Sequence, residues 1–216
     1  LVIKIRLAPR QPVHHASAMR LLITLLAITT LVHADDWTPE PGFISLFNGK
    51  DLSGWCYRAK TKKDDPKPGE ILTKFDGQVE SEDHYYSAKD GIIRVNFPTE
   101  ADKLTGQLYT VAEFPKNFVL KLEFRAAVNA DSGVFIRKPQ LQCRDYLVAG
   151  PYKELKQYKP QEWNLIEVTV KDGVAHCTCN GEVLEAALTL PATGPIGLEG
   201  DRSLMEYRRI QLKELP

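Results

Sequence analysis

Histidine is scarce in this chain. Of five in 216 residues, His14, His15 and His33 fall within the first 34, leaving only His84 and His176 beyond them. A Ser-His-Asp triad would need one of these two beside an activated serine. No G-x-S-x-G elbow occurs, and the serine of Asp131-Ser132-Gly133 lacks that context, so serine-hydrolase chemistry is not expected. Gly-rich phosphate loops and dinucleotide fingerprints are also missing, which leaves nucleotide cofactors without support. Neither sign of charge dominates, with 28 Lys+Arg against 28 Asp+Glu. There is no long hydrophobic run either, because Leu21 to Val32 falls short of the roughly 20 residues of a comfortable membrane span.

That run belongs to a recognisable segment. Met19 opens MRLLITLLAITTLVHADD, in which Arg20 is the positive start, Leu21 to Val32 the apolar stretch and Val32-His33-Ala34 a small-residue cleavage pattern. Together they read as a secretory signal peptide cut after Ala34, with residues 1–18 as an upstream extension. The expected organisation is therefore 1–34 as extension plus signal and 35–216 as one domain. The product would be secreted or periplasmic and free of the membrane after cleavage. Cleavage removes Lys4, Arg6, Arg10 and Arg20, leaving four fewer basic than acidic residues. A net negative domain argues against nucleic acid as a partner.

Four cysteines, Cys56, Cys143, Cys177 and Cys179, suit an oxidising compartment without fixing a pairing. Cys177 and Cys179 lie two apart on one strand and are poor partners for each other. A bridge from Cys143 to either is open, as is the simpler reading of small thiols filling a core. His176-Cys177-Thr178-Cys179 resembles a zinc cluster, yet strand alternation turns His176 away from both thiols, so no metal is expected there.

What the chain has in abundance is short alternating runs between turn residues. FISLFNG (43–49), GIIRVNF (91–97), GQLYTVAEF (106–114), FVLKLEFRA (118–126), GVFIR (133–137), QLQCRDY (140–146), WNLIEVTVK (163–171), VAHCTCNGEVL (174–184), GPIGLEG (194–200) and LMEYRRIQLKEL (204–215) all suit strands. Asp172-Gly173 and Asn180-Gly181 are hairpin signals that make a meander from Trp163 to about Leu184. The charged, Pro-broken stretch 60–70 reads as an exposed loop. Residues 147–161 read as a second loop with room for one helical turn, at a rim where specificity is often placed. The predicted fold class is all-β, a two-sheet antiparallel sandwich.

Parity divides the side chains. Leu120, Leu122, Phe124, Val134, Ile136, Leu141, Ile166, Val168, Val170, Cys177, Cys179, Ile196 and Leu198 are expected to face inward. Lys121, Glu123, Arg125, Phe135, Arg137, Gln142, Glu167 and Glu199 face outward, and they form one polar face if their strands adjoin. Carboxylates at Glu123, Glu199, Asp131 and Asp145, with Arg and Gln donors and an aromatic ring, are what a sugar-processing cleft needs. The same composition also serves a solvated strand face. Asp145 has the apolar parity, so either its strand ends first or its carboxylate is desolvated.

FISLFNGKDLSGW (43–55), YYSAKDGIIRV (85–95), FVLKLEFRAAVNADSGVFIR (118–137), QLQCRD (140–145), EWN (162–164), CNGEVL (179–184) and GPIGLEG (194–200) resemble, in order, the 3-keto-disaccharide hydrolase domain family. The resemblance implies an exported concanavalin A-like jelly roll that acts on carbohydrates whose C3 hydroxyl has been oxidised to a ketone. A 3-ketone acidifies the C2 proton, so a base can remove it while the C1 oxygen leaves, and water then adds. Lectin-like sugar binding without catalysis is the alternative. Glu123, Glu199 and Asp145 are the candidate catalytic residues, and Arg137, Gln142, Phe135, Gln140 and Tyr152 the candidate sugar contacts. No cofactor is expected, although the carboxylates leave a metal ion open. Three positions depart from the family pattern: Asp131 replaces a frequent Asn, Gln140 a frequent Glu, and Glu199 a frequent Gln. Gly150-Pro151-Tyr152 only loosely echoes the family's small loop.

Overall fold

The structure, a computed structural model, describes residues 37–59, 69–96, 107–145 and 150–216. The expected signal segment and most of the 60–70 loop lie outside the described residues. Those described all fall within the unit His33–Pro216.

In chain order the strands are β1 (Ile44–Ser45), β2 (Trp55–Arg58), β3 (Ile71–Lys74), β4 (Tyr86–Lys89), β5 (Ile92–Val95), β6 (Leu108–Thr110) and β7 (Phe118–Ala126). They continue with β8 (Asp131–Ile136), β9 (Gln140–Arg144), β10 (Asn164–Lys171), β11 (Val174–Cys179), β12 (Glu182–Thr189), β13 (Ile196–Leu198) and β14 (Met205–Glu214). One sheet of eight runs β12-β11-β10-β7-β14-β5-β4, with β1 also paired to β14; the other, of six, runs β3-β2-β6-β13-β8-β9. Every pairing is antiparallel. The fold is thus a two-sheet antiparallel sandwich, as the strand rhythm predicts.

The meander β10-β11-β12 follows from its two turns. Asp172 and Gly173 have φ of 51° and 77°, and Asn180 and Gly181 have 49° and 85°. Two successive positive φ values define the turn whose twist matches the flanking strands, and Asp-Gly and Asn-Gly reach it at little cost. All thirteen side chains expected to face inward are buried, most of them completely. They pack between the sheets with Trp55, Tyr86, Tyr152 and Tyr207.

Although the parity is right, the outward side chains do not share one face. Phe118–Ala126 belongs to the eight-stranded sheet. The chain then turns at 127–130, and β8 and β9 join the six-stranded sheet. Outward residues of β7 and β10 therefore lie on one exterior of the sandwich, and those of β8, β9 and β13 on the other. Alternation also separates His176, which is exposed, from Cys177 and Cys179, which are buried. All four thiols are free and buried.

Candidate functional site

The exterior of the six-stranded sheet is laid out in rows by its register. Tyr109 on β6 stands opposite Gly197 on β13, which stands opposite Phe135 on β8, which stands opposite Gln140 on β9. One row on, Glu199 follows β13 and donates its backbone N–H to Gly133 at 3.1 Å, and Gly133 faces Gln142. Two strand glycines shape this surface. A Cβ on Gly197 would lie 2.6 Å from Cδ1 of Tyr109 and 3.1 Å from Cβ of Phe135, so only glycine lets these side chains lie so close over β13. A Cβ on Gly133 would lie 2.5 Å from Cγ of Gln140, whose side chain passes over that strand.

Crossing Gly133 brings Gln140 to Glu199. Its amide Nε2 donates to Oε2 of Glu199, and Nε2 of Gln107 donates to Oε1 at 2.8 Å. The carboxylate is thus gripped on both oxygens by neutral amides. Its backbone carbonyl is also fixed, accepting from the hydroxyls of Ser132 and of Tyr207, the latter at 2.7 Å. Burial pushes the Glu199 carboxyl above its ordinary value; the amides of Gln107 and Gln140 oppose this, while the nearby carboxylates of Asp201 and Asp131 add to it. Tyr109 and Phe135 meet edge to face, with centroids 5.9 Å apart. Burial, then the charge of Glu199, raises the Tyr109 phenol to about 12. Beside the two rings lies a hollow of about 650 Å³, with Gln107, Arg58, Lys138 and Pro195 also in its walls.

Of the sequence-predicted residues, Glu199, Gln140, Phe135 and Gln142 come together here. Two of the three family departures meet directly, since the amide of Gln140 and the acid of Glu199 are each other's partners. The third, Asp131, pairs with Arg144 at 3.6 Å and Arg202 at 3.8 Å.

Arg137 also lines the hollow, with its guanidinium committed to backbone carbonyls, whereas Glu123, Tyr152 and Asp145 lie elsewhere. Glu123 is on the opposite exterior, held by Arg208 Nε at 2.6 Å and Arg209 Nη1 at 3.0 Å. A bulge in β14 between Arg208 and Gln211, with Arg209 at φ 53°, turns two consecutive arginines toward it. Arg137 is only 7% exposed. Alternation ends at its φ of 61°, and its guanidinium donates to the carbonyls of Pro191 at 2.8 Å and Lys116 at 2.7 Å while covering the Phe118 ring. Its donors hold two loops rather than project from the sheet as expected. Tyr152 is a core side chain, 2% exposed, with its hydroxyl on the carbonyl of Gln142 at 2.8 Å.

Asp145 lies just past the end of β9 and is buried. It accepts from Tyr158 Oη at 2.8 Å and Gln161 Nε2 at 2.5 Å, so it ties down the loop expected to form a rim. Fully buried Asn164 pins that loop too, bonding the backbone N–H and C=O of Lys159, both at 2.8 Å. Among the described residues of that loop the one helical element is the 3₁₀ turn Pro151–Lys153. Sequence reasoning missed Gln107 and Tyr109 at the site. The alternation of GQLYTVAEF puts both on one face, but only the pairing of β6 with β13 shows which face.

Solved structures share this architecture. A candidate glycosyl hydrolase from Parabacteroides distasonis ATCC 8503 superposes with a TM-score of 0.58 at 20% identity, covering 81% of this chain and 95% of that one. A second from the same organism gives 0.48 at 19% identity over 63% and 93%. No curated protein matches the chain. The model of the 3-keto-alpha-glucoside-1,2-lyase-like domain matches residues 42–213, most of the sequence, and the chain belongs to that family of carbohydrate-active domains.

Proposed function

We propose that this protein cleaves the glycosidic bond of 3-keto-glycosides by elimination, at the exterior of the six-stranded sheet, with Glu199 as the base. The observation that carries this reading is the seat of Glu199: a carboxylate raised by burial, its two oxygens held by Gln107 and Gln140, with Gln107 itself in the wall of the hollow that the rings of Tyr109 and Phe135 also line. A carboxyl held above its ordinary value is the stronger base once ionised. The C2 proton next to a ketone is acidic enough for such a base to remove. Loss of that proton expels the C1 oxygen, and addition of water to the resulting enone completes net hydrolysis. Phe135 and Tyr109 offer ring faces and edges to the sugar, and the amide of Gln142 a hydrogen-bonding group on the same row as Glu199.

The reading extends to export, on the strength of the apolar stretch Leu21 to Val32 and the Val-His-Ala pattern that follows it. Among the described residues no helix is long and apolar enough to cross a membrane.

The test is to incubate purified protein with a 3-keto-disaccharide and, separately, with the unoxidised parent sugar. Cleavage of the ketone alone is the expected result. Binding of either sugar without turnover would replace an enzyme with a lectin-like module.

A further inference from the structure

Elimination needs a second proton carrier, because the departing C1 oxygen must be neutralised while Glu199 takes the proton from C2. We infer that Tyr109 is that acid, and that the hollow beside it receives the leaving group. The inference rests on Glu199 serving as the base in the reading above.

Three features of the surface point to Tyr109. Its partner across β6 and β13 is Gly197, and Glu199 lies two residues further along β13 on the same exterior. Tyr109 and Glu199 are therefore diagonal neighbours on one exterior, within reach of each other for an aromatic side chain. The missing Cβ of Gly197 lets the ring lie across β13 toward Phe135, at the mouth of the hollow. Among the described residues its hydroxyl has no hydrogen-bond partner, in contrast to Tyr85, Tyr86, Tyr152, Tyr158 and Tyr207, whose hydroxyls are all engaged. A half-buried phenol without a partner is free to meet a ligand oxygen. Burial, and after it the Glu199 charge, keeps the phenol protonated across the neutral range. Two other groups in the walls of the hollow are already engaged. The Arg58 guanidinium is bonded to the carbonyls of Gly69, Thr110 and Val111 and to Glu113, and Gln107 already serves Glu199.

The step balances within the pair. The Glu199 carboxylate takes the C2 proton, and that C–H electron pair becomes the C1–C2 double bond conjugated with the ketone. The C1–O bond breaks with its pair on oxygen, and the Tyr109 hydroxyl supplies the proton. The Glu199 acid then returns its proton to the phenolate through water. The proton lost from C2 is thereby matched by one gained on the product alcohol, and no outside oxidant or reductant is required.

Leaving-group dependence tests this assignment. Methyl 3-keto-glucoside expels an alkoxide that needs a proton, whereas 4-nitrophenyl 3-keto-glucoside expels an anion that is stable without one. Tyr109→Phe keeps the ring and its packing. It should slow kcat on the methyl glycoside roughly 100-fold or more, as loss of a general acid does, and change kcat on the nitrophenyl glycoside only slightly. KM for both should be little altered. Equal slowing of both substrates, or of neither, would overturn the assignment while leaving the reading of Glu199 intact. Failure of the wild-type protein to cleave either substrate would overturn that reading and this one together.

Discussion

Gln140 on β9 reaches over Gly133 on β8 to donate to Glu199 beyond β13, so three neighbouring strands fix one carboxylate. The carboxylate's position depends on an absent side chain as much as on a present one. Gly133→Ala puts a Cβ 2.5 Å from Cγ of Gln140 and 2.7 Å from the carbonyl oxygen of Leu141. Such overpacking costs about 1 to 3 kcal/mol. Denaturant titration should show that loss, and turnover should fall further than Gln140→Ala alone lowers it. A variant as stable and active as wild type would mean that β9 is free to shift.

Arg137→Ala is expected to act on stability rather than on sugar affinity. The guanidinium satisfies two loop carbonyls at 2.8 and 2.7 Å. Stranding polar groups in a buried setting costs roughly 1 to 3 kcal/mol each, so a loss of about 2 to 6 kcal/mol should appear in equilibrium unfolding. Isothermal titration with a 3-keto-disaccharide should give an affinity close to that of the wild type. A large drop in affinity with unchanged stability would show that Arg137, which lines the hollow, binds the sugar directly.

Glu123→Gln should leave turnover untouched. Its ion pairs with Arg208 and Arg209 lie on the far exterior, with side chains 19 to 32% exposed. Partly exposed pairs of this kind contribute no more than about 1 kcal/mol. Steady-state kinetics decide the matter, and a tenfold loss of kcat would show that the far face takes part.

The raised carboxyl of Glu199 has a consequence for stability whose sign is fixed. Between the ordinary glutamate value, about 4.3, and its higher folded value, the folded state holds the proton more tightly than the unfolded chain. Stability contributed by this group is therefore lost as pH rises through that window. Glu199→Gln removes the buried charge, and one flanking amide can turn over to pair with the new one. Thermal unfolding at neutral pH should show the variant at least as stable as the wild type, with the difference vanishing below the ordinary glutamate range. A variant less stable at neutral pH and equal in acid would mean that the carboxylate stabilises the fold.

How much of this could be read from the residues divides along a physical line. Period-two alternation fixes which side of a strand each residue takes, and that is why Leu120 to Leu198 lie in the core as expected. Alternation carries no information about which sheet a strand joins. Glu123 and Glu199 share an outward parity and yet lie on opposite exteriors, because the turn at 127–130 carries the chain from one sheet to the other. Parity also fails where the backbone leaves the strand conformation. Arg137, at φ 61°, has the outward parity and yet turns its guanidinium to two loop carbonyls. Asp145 has the apolar parity and is buried, its strand having ended at Arg144, where it holds the following loop. Tyr152 follows glycine and proline in a segment that reads as polar rim, and nothing local indicates that its ring enters the core against Phe124 and Tyr158. Gln140 and Glu199 stand out in the sequence as two separate positions; only the crossing over Gly133 shows that their side chains are hydrogen-bonded partners.

The central claim is that Glu199 removes the C2 proton of a 3-keto-glycoside. It is tested most directly by following a substrate deuterated at C2 in ordinary water. Wild-type protein should cleave it more slowly than the protiated sugar, with a primary isotope effect on kcat/KM, and Glu199→Gln should lower turnover by a factor of about 100 or more while still binding the sugar. Glu123→Gln should retain the isotope effect and the rate of the wild type. Cleavage by Glu199→Gln at the wild-type rate, or C2 deuterium retained in the cleaved product of the wild type, would contradict the account.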